Sequence, residues 1–463
     1  MRTLFAAVVL VITCAAPTVP SVAPPSVDTT PASRTAAATT APATSAPAQG
    51  SPTAAADGLV FDQARVERYL DALAQIAAAN GGIRAAGTSG YAASVDFVVG
   101  ELEALGLTVR RQPFEFTFFD EAAPVELTVG DQSWTGGEWL HSMLYGGEGN
   151  VGGVLEEVGR TNTNTTGCQA DEWDDFTAGH IAVVPGGGCF YRDKLLNAQN
   201  AGALAVIAPY VAWGSGQTRR PTLIDPGVIT IPAIVVGQEP ALALFAAAEA
   251  GESARLVVDT VSQQMSIDNV IAELPGATAD VIMLGGHLDS VLDGPGINDN
   301  GSGVSTVLAI AAAGSSQAIP HKTLRFAFWA AEEYGELGST HYVDSLSAAE
   351  RDQIDAYFNL DMVGSVAGEA TVYDDVIAAV GSSGLTDALV AALQDLGRFP
   401  TPTDLGGASD HAQFERVGIV TGGVFSGVDD CYHLACDGRD NVDVSLLMDL
   451  GDAIATVVED LAY

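Results

Sequence analysis

Residues 281–289 read Val-Ile-Met-Leu-Gly-Gly-His-Leu-Asp, an apolar run that stops on a histidine and a carboxylate. The run 281–284 has the length and β-branched content of a buried strand. The pattern then continues with an apolar helix over 302–313, strands over 324–329 and 357–360, and a further strand within 417–425. Strands alternating with helices imply an α/β sheet with helices on both faces. In such sheets ligands bind beyond the carboxyl ends of the strands. Chemistry-bearing side chains recur at those ends: His287 and Asp289; Asp299 in the loop Gly-Pro-Gly-Ile-Asn-Asp-Asn-Gly-Ser-Gly at 294–303; Glu332 and Glu333; Asp361; and His433 in Cys-Tyr-His at 431–433.

A single histidine or aspartate at a strand end is more often a cap or a surface group. Two histidines and several carboxylates around the ends of one sheet are hard to reconcile with that, because carboxylates are costly to bury unpaired. Mixed imidazole and carboxylate donors suit zinc. His287, Asp299, Glu333, Asp361 and His433 exceed the three ligands of a one-zinc catalytic site and fit two zinc ions sharing a carboxylate. Such a pair polarises a carbonyl and activates water. Glu332, beside the ligand Glu333, is then free to carry a proton from water to a leaving amine. Asp289, two residues after His287, is expected to fix the imidazole tautomer.

Outside this region the chain divides by texture. Residues 1–13 have Arg2 and a short apolar run, as in an export signal. Residues 14–57, rich in Ala, Pro, Thr and Ser, are expected to be a disordered tether of about 35–40 Å. Catalytic segments are expected at 58–125 and 261–463, around a Gly- and Val-rich insertion at 126–260. Val66, Leu70, Leu73 and Ile76 recur at helical spacing, as do Val95, Val98, Leu102 and Leu105, with Gly106 as a C-cap. The net charge of -39 makes nucleic acid and anionic lipid headgroups poor partners and favours a solvated, soluble surface. Five cysteines occur. In an oxidising compartment Cys168 with Cys189 and Cys431 with Cys436 form sequence-local pairs, leaving Cys14. The run ending at Cys14 resembles a bacterial lipobox, with Thr13 as a departure, so lipidation at Cys14 and a membrane anchor are expected, ordinary secretion being the alternative.

His287-Leu-Asp289-Ser, Gly296-Ile-Asn-Asp299-Asn-Gly-Ser-Gly303, Ala331-Glu332-Glu333, Asn359-Leu-Asp361 and Tyr432-His433 closely resemble the secreted bacterial leucine aminopeptidases, and the aminopeptidase Y type, of the zinc exopeptidase clan. The resemblance covers about 58–463. It implies an α/β sandwich around a mixed eight-stranded sheet, and a monomer acting on peptides with a free N-terminus. By the same resemblance His287 and Asp361 serve one zinc, Glu333 and His433 the other, and Asp299 bridges them. Glu332 is the general base and Tyr432 a hydroxyl donor to the tetrahedral intermediate. In close relatives an arginine stands where this loop, 407–411, has Ala408.

The insertion resembles a mostly-β protease-associated domain through Gly179-His-Ile-Ala-Val-Val-Pro-Gly-Gly-Gly-Cys189 and the run 198–207. A lid or substrate-access role is implied. Rival readings are a glutamate-releasing carboxypeptidase on the same scaffold and a non-catalytic surface-binding lipoprotein. Asp437, Asp440 and Asp443 are weighed as calcium ligands, but without a complete loop motif a solvated turn is expected. Asn164 and Asn300 begin glycosylation sequons, the second inside the metal loop.

Overall fold

Every side chain from Val281 to His287 is buried, so the run shows no alternation: a parallel strand covered on both faces has no solvent side. The computed structural model describes residues 58–158, 166–210, 216–374 and 382–463. The leader, Cys14, the tether and Asn164 lie outside the described residues.

Two helices come first, α1 (Gln63–Ala79) and α2 (Ser89–Ala104). Asp62 caps α1 by accepting from the Arg65 N–H, and Val66, Leu70 and Leu73 form its buried face. After α2 the chain turns at Gly106, whose φ of 78° is left-handed and costs glycine little. The middle of the chain contains β1 (Thr108–Val129), β2 (Gln132–Thr135), β3 (Leu140–Ser142), β4 (Gly149–Glu157), β5 (Ile181–Val183), α3 (Tyr191–Asn200), β6 (Ala205–Pro209), β7 (Ala233–Val236), α4 (Gln238–Ala250) and β8 (Ser253–Leu274). The rest is β9 (Val281–His287), α5 (Gly303–Ser315), β10 (Thr323–Trp329), α6 (Leu337–Ser345), α7 (Ala348–Asp352), β11 (Ile354–Leu360), β12 (Thr371–Tyr373), α8 (Ser382–Asp395), β13 (Thr401–Thr403), α9 (His411–Glu415), β14 (Thr421–Phe425) and α10 (Val444–Ala462).

The order β13-β12-β14-β11-β9-β10-β8-β1 is the expected mixed sheet of eight strands. Its hydrogen bonding does not stop there. β1 and β8 pair antiparallel from Thr108↔Glu273 to Val129↔Ala254, and the far part of β8 also pairs with β4. Through β4, β5, β6, β7 and β3, and with β2 paired to β1, the sheet counts 14 strands among the described residues. Positions 125/126 and 260/261 fall inside β1 and β8. The mid-chain unit also contains helices: α4 packs Leu244 into a separate core with Leu155, Ile181, Val183 and Ile234.

β9, β10, β11 and β14 are parallel neighbours. The registers Trp329↔His287 and Asn359↔Gly285 bring their carboxyl ends level along one rim. Behind the rim α5 is buried along almost its whole length. Phe358, fully buried in β11, belongs to the core that holds the Asp361 end of the strand in place. Replacing it by Ala is expected to cost about 3–5 kcal/mol, read as a lower urea midpoint, because a close-packed site collapses only partly around the lost ring.

Candidate active site

The loop between β9 and α5 carries Asp299 and is tied from three sides. Arg84, fully buried, donates from Nε to Pro295 O at 3.0 Å, and from its two other nitrogens to the Leu288 and Gly296 carbonyls at 2.5 Å. Asp437, 2% exposed, accepts from the backbone N–H groups of Asn298 and Asp299, each at 3.0 Å. Asn298 donates to Ser365 Oγ (2.9 Å), and Asn300 donates to Leu360 O (2.8 Å). Both asparagine amides are committed to the scaffold, which leaves the Asp299 carboxylate to face the site. The Asp299–Asn300 peptide is cis.

Asp299 stands between the two histidines. Its Oδ1 is 3.1 Å from His287 Nε2 and its Oδ2 is 3.1 Å from His433 Nε2. His287 Nε2 is also 3.3 Å from Asp361 Oδ1, and His433 Nε2 is 3.2 Å from Glu333 Oε2. The five residues thus form two groups sharing Asp299: His287 and Asp361 on one side, Glu333 and His433 on the other. Glu332 stands with His287 and Glu333 in a third overlapping group.

Supporting contacts fix each donor. Ser409 Oγ donates to Asp361 Oδ2 at 2.7 Å and accepts from Asn359 Nδ2 at 2.8 Å. Tyr357 OH donates to Asn359 Oδ1 (2.8 Å) and accepts from Trp329 Nε1 (2.9 Å). This chain of bonds leaves Asp361 Oδ1 toward His287. Ala331, Met362 and His433 have φ of 54°, 51° and 59°. These strained backbones lie within two residues of Glu333, Asp361 or His433, as at many functional sites. The Cys431–Cys436 disulfide brackets Tyr432 and His433, and Cys168–Cys189 is likewise formed.

Asp289 does not act as expected. Its carboxylate is 3.9 Å from His287 Nδ1, whereas its backbone carbonyl is 3.1 Å away. Orientation of the imidazole therefore falls to the main chain. The carboxylate instead accepts from the N–H groups of Glu332 (3.1 Å) and Glu333 (3.3 Å), setting the turn that presents both glutamates. Asp437 also differs from the expected solvated turn, since its oxygens are committed to the metal loop and to Asn441. Asp443 caps α10 and Asp440 is exposed, so these three do not form a calcium cradle.

Burial pushes Asp289 up to about 7, against the pull of His287. Burial, reinforced by Glu333 and Asp410, holds Glu332 well above the usual carboxylate range despite His287 nearby. Burial opposes charge on both His287 and His433, yet the surrounding carboxylates outweigh it and hold both well above the ordinary histidine value. Glu333 Oε1 is buried without a hydrogen-bond donor. Such an acceptor is costly unless a cation takes its lone pair. Two imidazoles and three carboxylates converging there fit zinc.

The site opens into a cavity of about 500 Å³. Glu332, Tyr432 and Ala408 line it from the catalytic part, and Phe190, Tyr210 and Ile224 from the mid-chain unit. Tyr432 stacks on His433 at 3.7 Å, with the Arg219 guanidinium 5.0 Å from its ring centroid.

The profile of peptidase family M28 matches residues 269–458, and that of the PA domain matches residues 153–244. A Pseudomonas aeruginosa protein named "Aminopeptidase" is 35% identical over 434 residues, covering 85% of this chain and 79% of that protein. The Mycobacterium tuberculosis protein named "Probable lipoprotein aminopeptidase LpqL" is 32% identical over 426 residues, covering 84% and 83%. Among solved structures, the aminopeptidase from Aneurinibacillus sp. strain AM-1 superposes with a TM-score of 0.72 at 27% identity, over 87% of this chain and 94% of that one. BSAP, a zinc aminopeptidase from Bacillus subtilis, superposes with a TM-score of 0.71 at 25% identity, over 88% and 97%. On its sequence, its fold and its convergent ligand set, the chain belongs to peptidase family M28: it is a hydrolytic metallo-exopeptidase that carries a PA domain.

Proposed function

We propose that the protein is a two-zinc aminopeptidase that removes single residues from the free amino end of peptides. Support comes from the relatives named aminopeptidase and from the Bacillus subtilis structure named a zinc aminopeptidase. The observation that carries it is Asp299, with one oxygen 3.1 Å from the imidazole of each flanking group. His287 and Asp361 would hold one ion, Glu333 and His433 the other, with Asp299 common to both. Zinc held there supplies Lewis acidity toward a peptide carbonyl and lowers the pKa of water.

The chain's own residues do the rest. Glu332 takes a proton from the attacking water and returns it to the departing amine. The Tyr432 hydroxyl, lining the same cavity, donates to the oxygen that becomes negative as the carbon turns tetrahedral. Asp289 acts through the peptide groups of Glu332 and Glu333, keeping the base and its neighbouring ligand in fixed relation.

Export is supported by the two disulfides and by the relative named a lipoprotein aminopeptidase. Lipidation at Cys14 is proposed on the lipobox-like sequence.

The test is hydrolysis of amino-acyl p-nitroanilides by the purified protein, with and without chelator and with zinc restored. Release from free-amino substrates, lost with chelator or when the amine is acetylated, is the expected result. No release while two zinc ions remain bound would reject the aminopeptidase reading and direct testing to C-terminal substrates.

A further inference from the structure

One turn beyond Glu332, the cavity wall carries a carboxylate that the proposed reaction does not use. The N–H groups of Gly335 and Glu336 both donate to Glu332 O, at 2.7 and 2.8 Å, which closes one turn between the two glutamates. Glu336 lines the cavity, as do Gly335 and Gln413. Its φ is 58°, a left-handed conformation that Gly or Asn would adopt more cheaply. α6 begins immediately after it, and the Glu336 side chain makes no capping bond there.

Among the described residues its carboxylate accepts one hydrogen bond, from an amide. Gln413 Nε2 donates to Glu336 Oε2 at 2.6 Å. Arg416 Nε donates to Gln413 Oε1 at 3.2 Å, which fixes the amide so that its NH₂ end meets the carboxylate. Arg416 itself is paired with Asp344 at 2.7 Å. Among the described residues lining the cavity, Arg220 is the sole arginine or lysine. It is already committed to Asp120 (3.3 Å), Asp293 (3.0 Å) and Glu121 (3.6 Å). Ile224, from the mid-chain unit, packs against Gly335 and lines the cavity on that side. The result is a carboxylate held in place at a partly apolar wall, with no basic side chain among the described residues in ion-pair contact with it.

We infer that Glu336 receives the cationic side chain of the substrate's first residue, so that the enzyme prefers N-terminal lysine or arginine over leucine. This rests on the aminopeptidase reading above. The rest of the cavity fits such a substrate: the apolar flanks accept the methylene stem, as long cationic side chains require, and the carboxylate meets the charged end. The net charge of -39 draws cationic peptides toward the surface before they reach the cavity.

The test compares lysyl p-nitroanilide with norleucyl p-nitroanilide, which keeps the four-carbon side chain and lacks only the terminal ammonium, using the full zinc-loaded chain and Glu336→Gln. The lysyl substrate should be preferred by roughly 10- to 100-fold in kcat/KM, the range of a charge-assisted hydrogen bond. Glu336→Gln should reduce that preference to near unity. Calorimetric binding of L-lysine against L-norleucine by the unsubstituted protein provides a readout without turnover and should favour lysine in the same sense. Three results would overturn the inference: no preference in the unsubstituted enzyme, a preference that survives in Glu336→Gln, or an equal loss on both substrates, which would assign Glu336 to the α-ammonium. Should the variant fail to fold, the norleucyl comparison and the calorimetry still decide. Failure to hydrolyse any amino-acyl substrate would instead reject the underlying aminopeptidase reading.

Discussion

Glu332→Gln is expected to lower kcat by about 10²- to 10⁴-fold, the usual contribution of a positioned acid–base group, while zinc content stays that of the parent protein. The substitution keeps size and shape and removes only the capacity to exchange a proton. It leaves untouched the two peptide N–H groups of Glu332 and Glu333 that Asp289 receives at 3.1 and 3.3 Å, so the turn should persist. The neighbouring ligand group of Asp299, Glu333 and His433 does not include Glu332. A fall in kcat with KM little changed marks a group that matters in the transition state more than in substrate binding. The measurement is steady-state kinetics on leucyl p-nitroanilide beside zinc analysis of the same preparation. A variant retaining kcat within a few-fold of the parent would remove Glu332 from proton transfer. A variant that lost zinc would make it a ligand.

The strands that form the site can be read directly because they are buried on both faces: β9 appears as an apolar run up to His287 and the end of β11 as one broken by Asn359, which loops rarely imitate. The five proposed ligands are visible for a related reason: His287, Glu333 and Asp361 stand at or soon after such runs, Asp299 and His433 lie in loops beyond them, and carboxylates seldom lie beside a core without a partner. The supporting residues carry no such mark. Arg84 stands 203 positions before His287 in the chain, and only the fold shows that its guanidinium spans three carbonyls of the metal loop. Asp437 looks like one member of an acidic surface run, yet it is buried against the backbone of Asn298 and Asp299. Asp289 stands out by its spacing, but the His-x-Asp pattern does not say whether the carboxylate or the carbonyl lies nearer the ring. The long β1–β8 ribbon escaped for a different reason. Its 22-residue strands change neighbours midway, and pairing partners are not encoded in the local pattern of either strand.

Asp299→Asn should abolish measurable turnover and reduce bound zinc below two ions per chain after dialysis against zinc-free buffer. Asn has nearly the same shape but one oxygen and no charge, so it cannot offer an anionic donor to both ligand groups. The loop should nevertheless remain folded: Asp437 holds the Asn298 and Asp299 peptide groups, and Arg84 holds the Leu288, Pro295 and Gly296 carbonyls, none of which involves the Asp299 side chain. Asp289→Asn provides the contrast, because it alters a residue that supports the turn of Glu332 and Glu333 without belonging to either ligand group; a loss of about 10- to 100-fold in zinc affinity is expected there. In the parent protein, zinc must displace protons from His287 and His433, which stand above the ordinary histidine range because the carboxylates outweigh burial. Affinity should therefore fall as pH is lowered, and binding should release protons measurable in weakly buffered solution. If Asp299→Asn retained two zinc ions and turnover, the two halves of the site would not depend on a shared carboxylate. Loss of zinc with circular dichroism unchanged would instead tie metal binding to the one side chain that stands between both histidines.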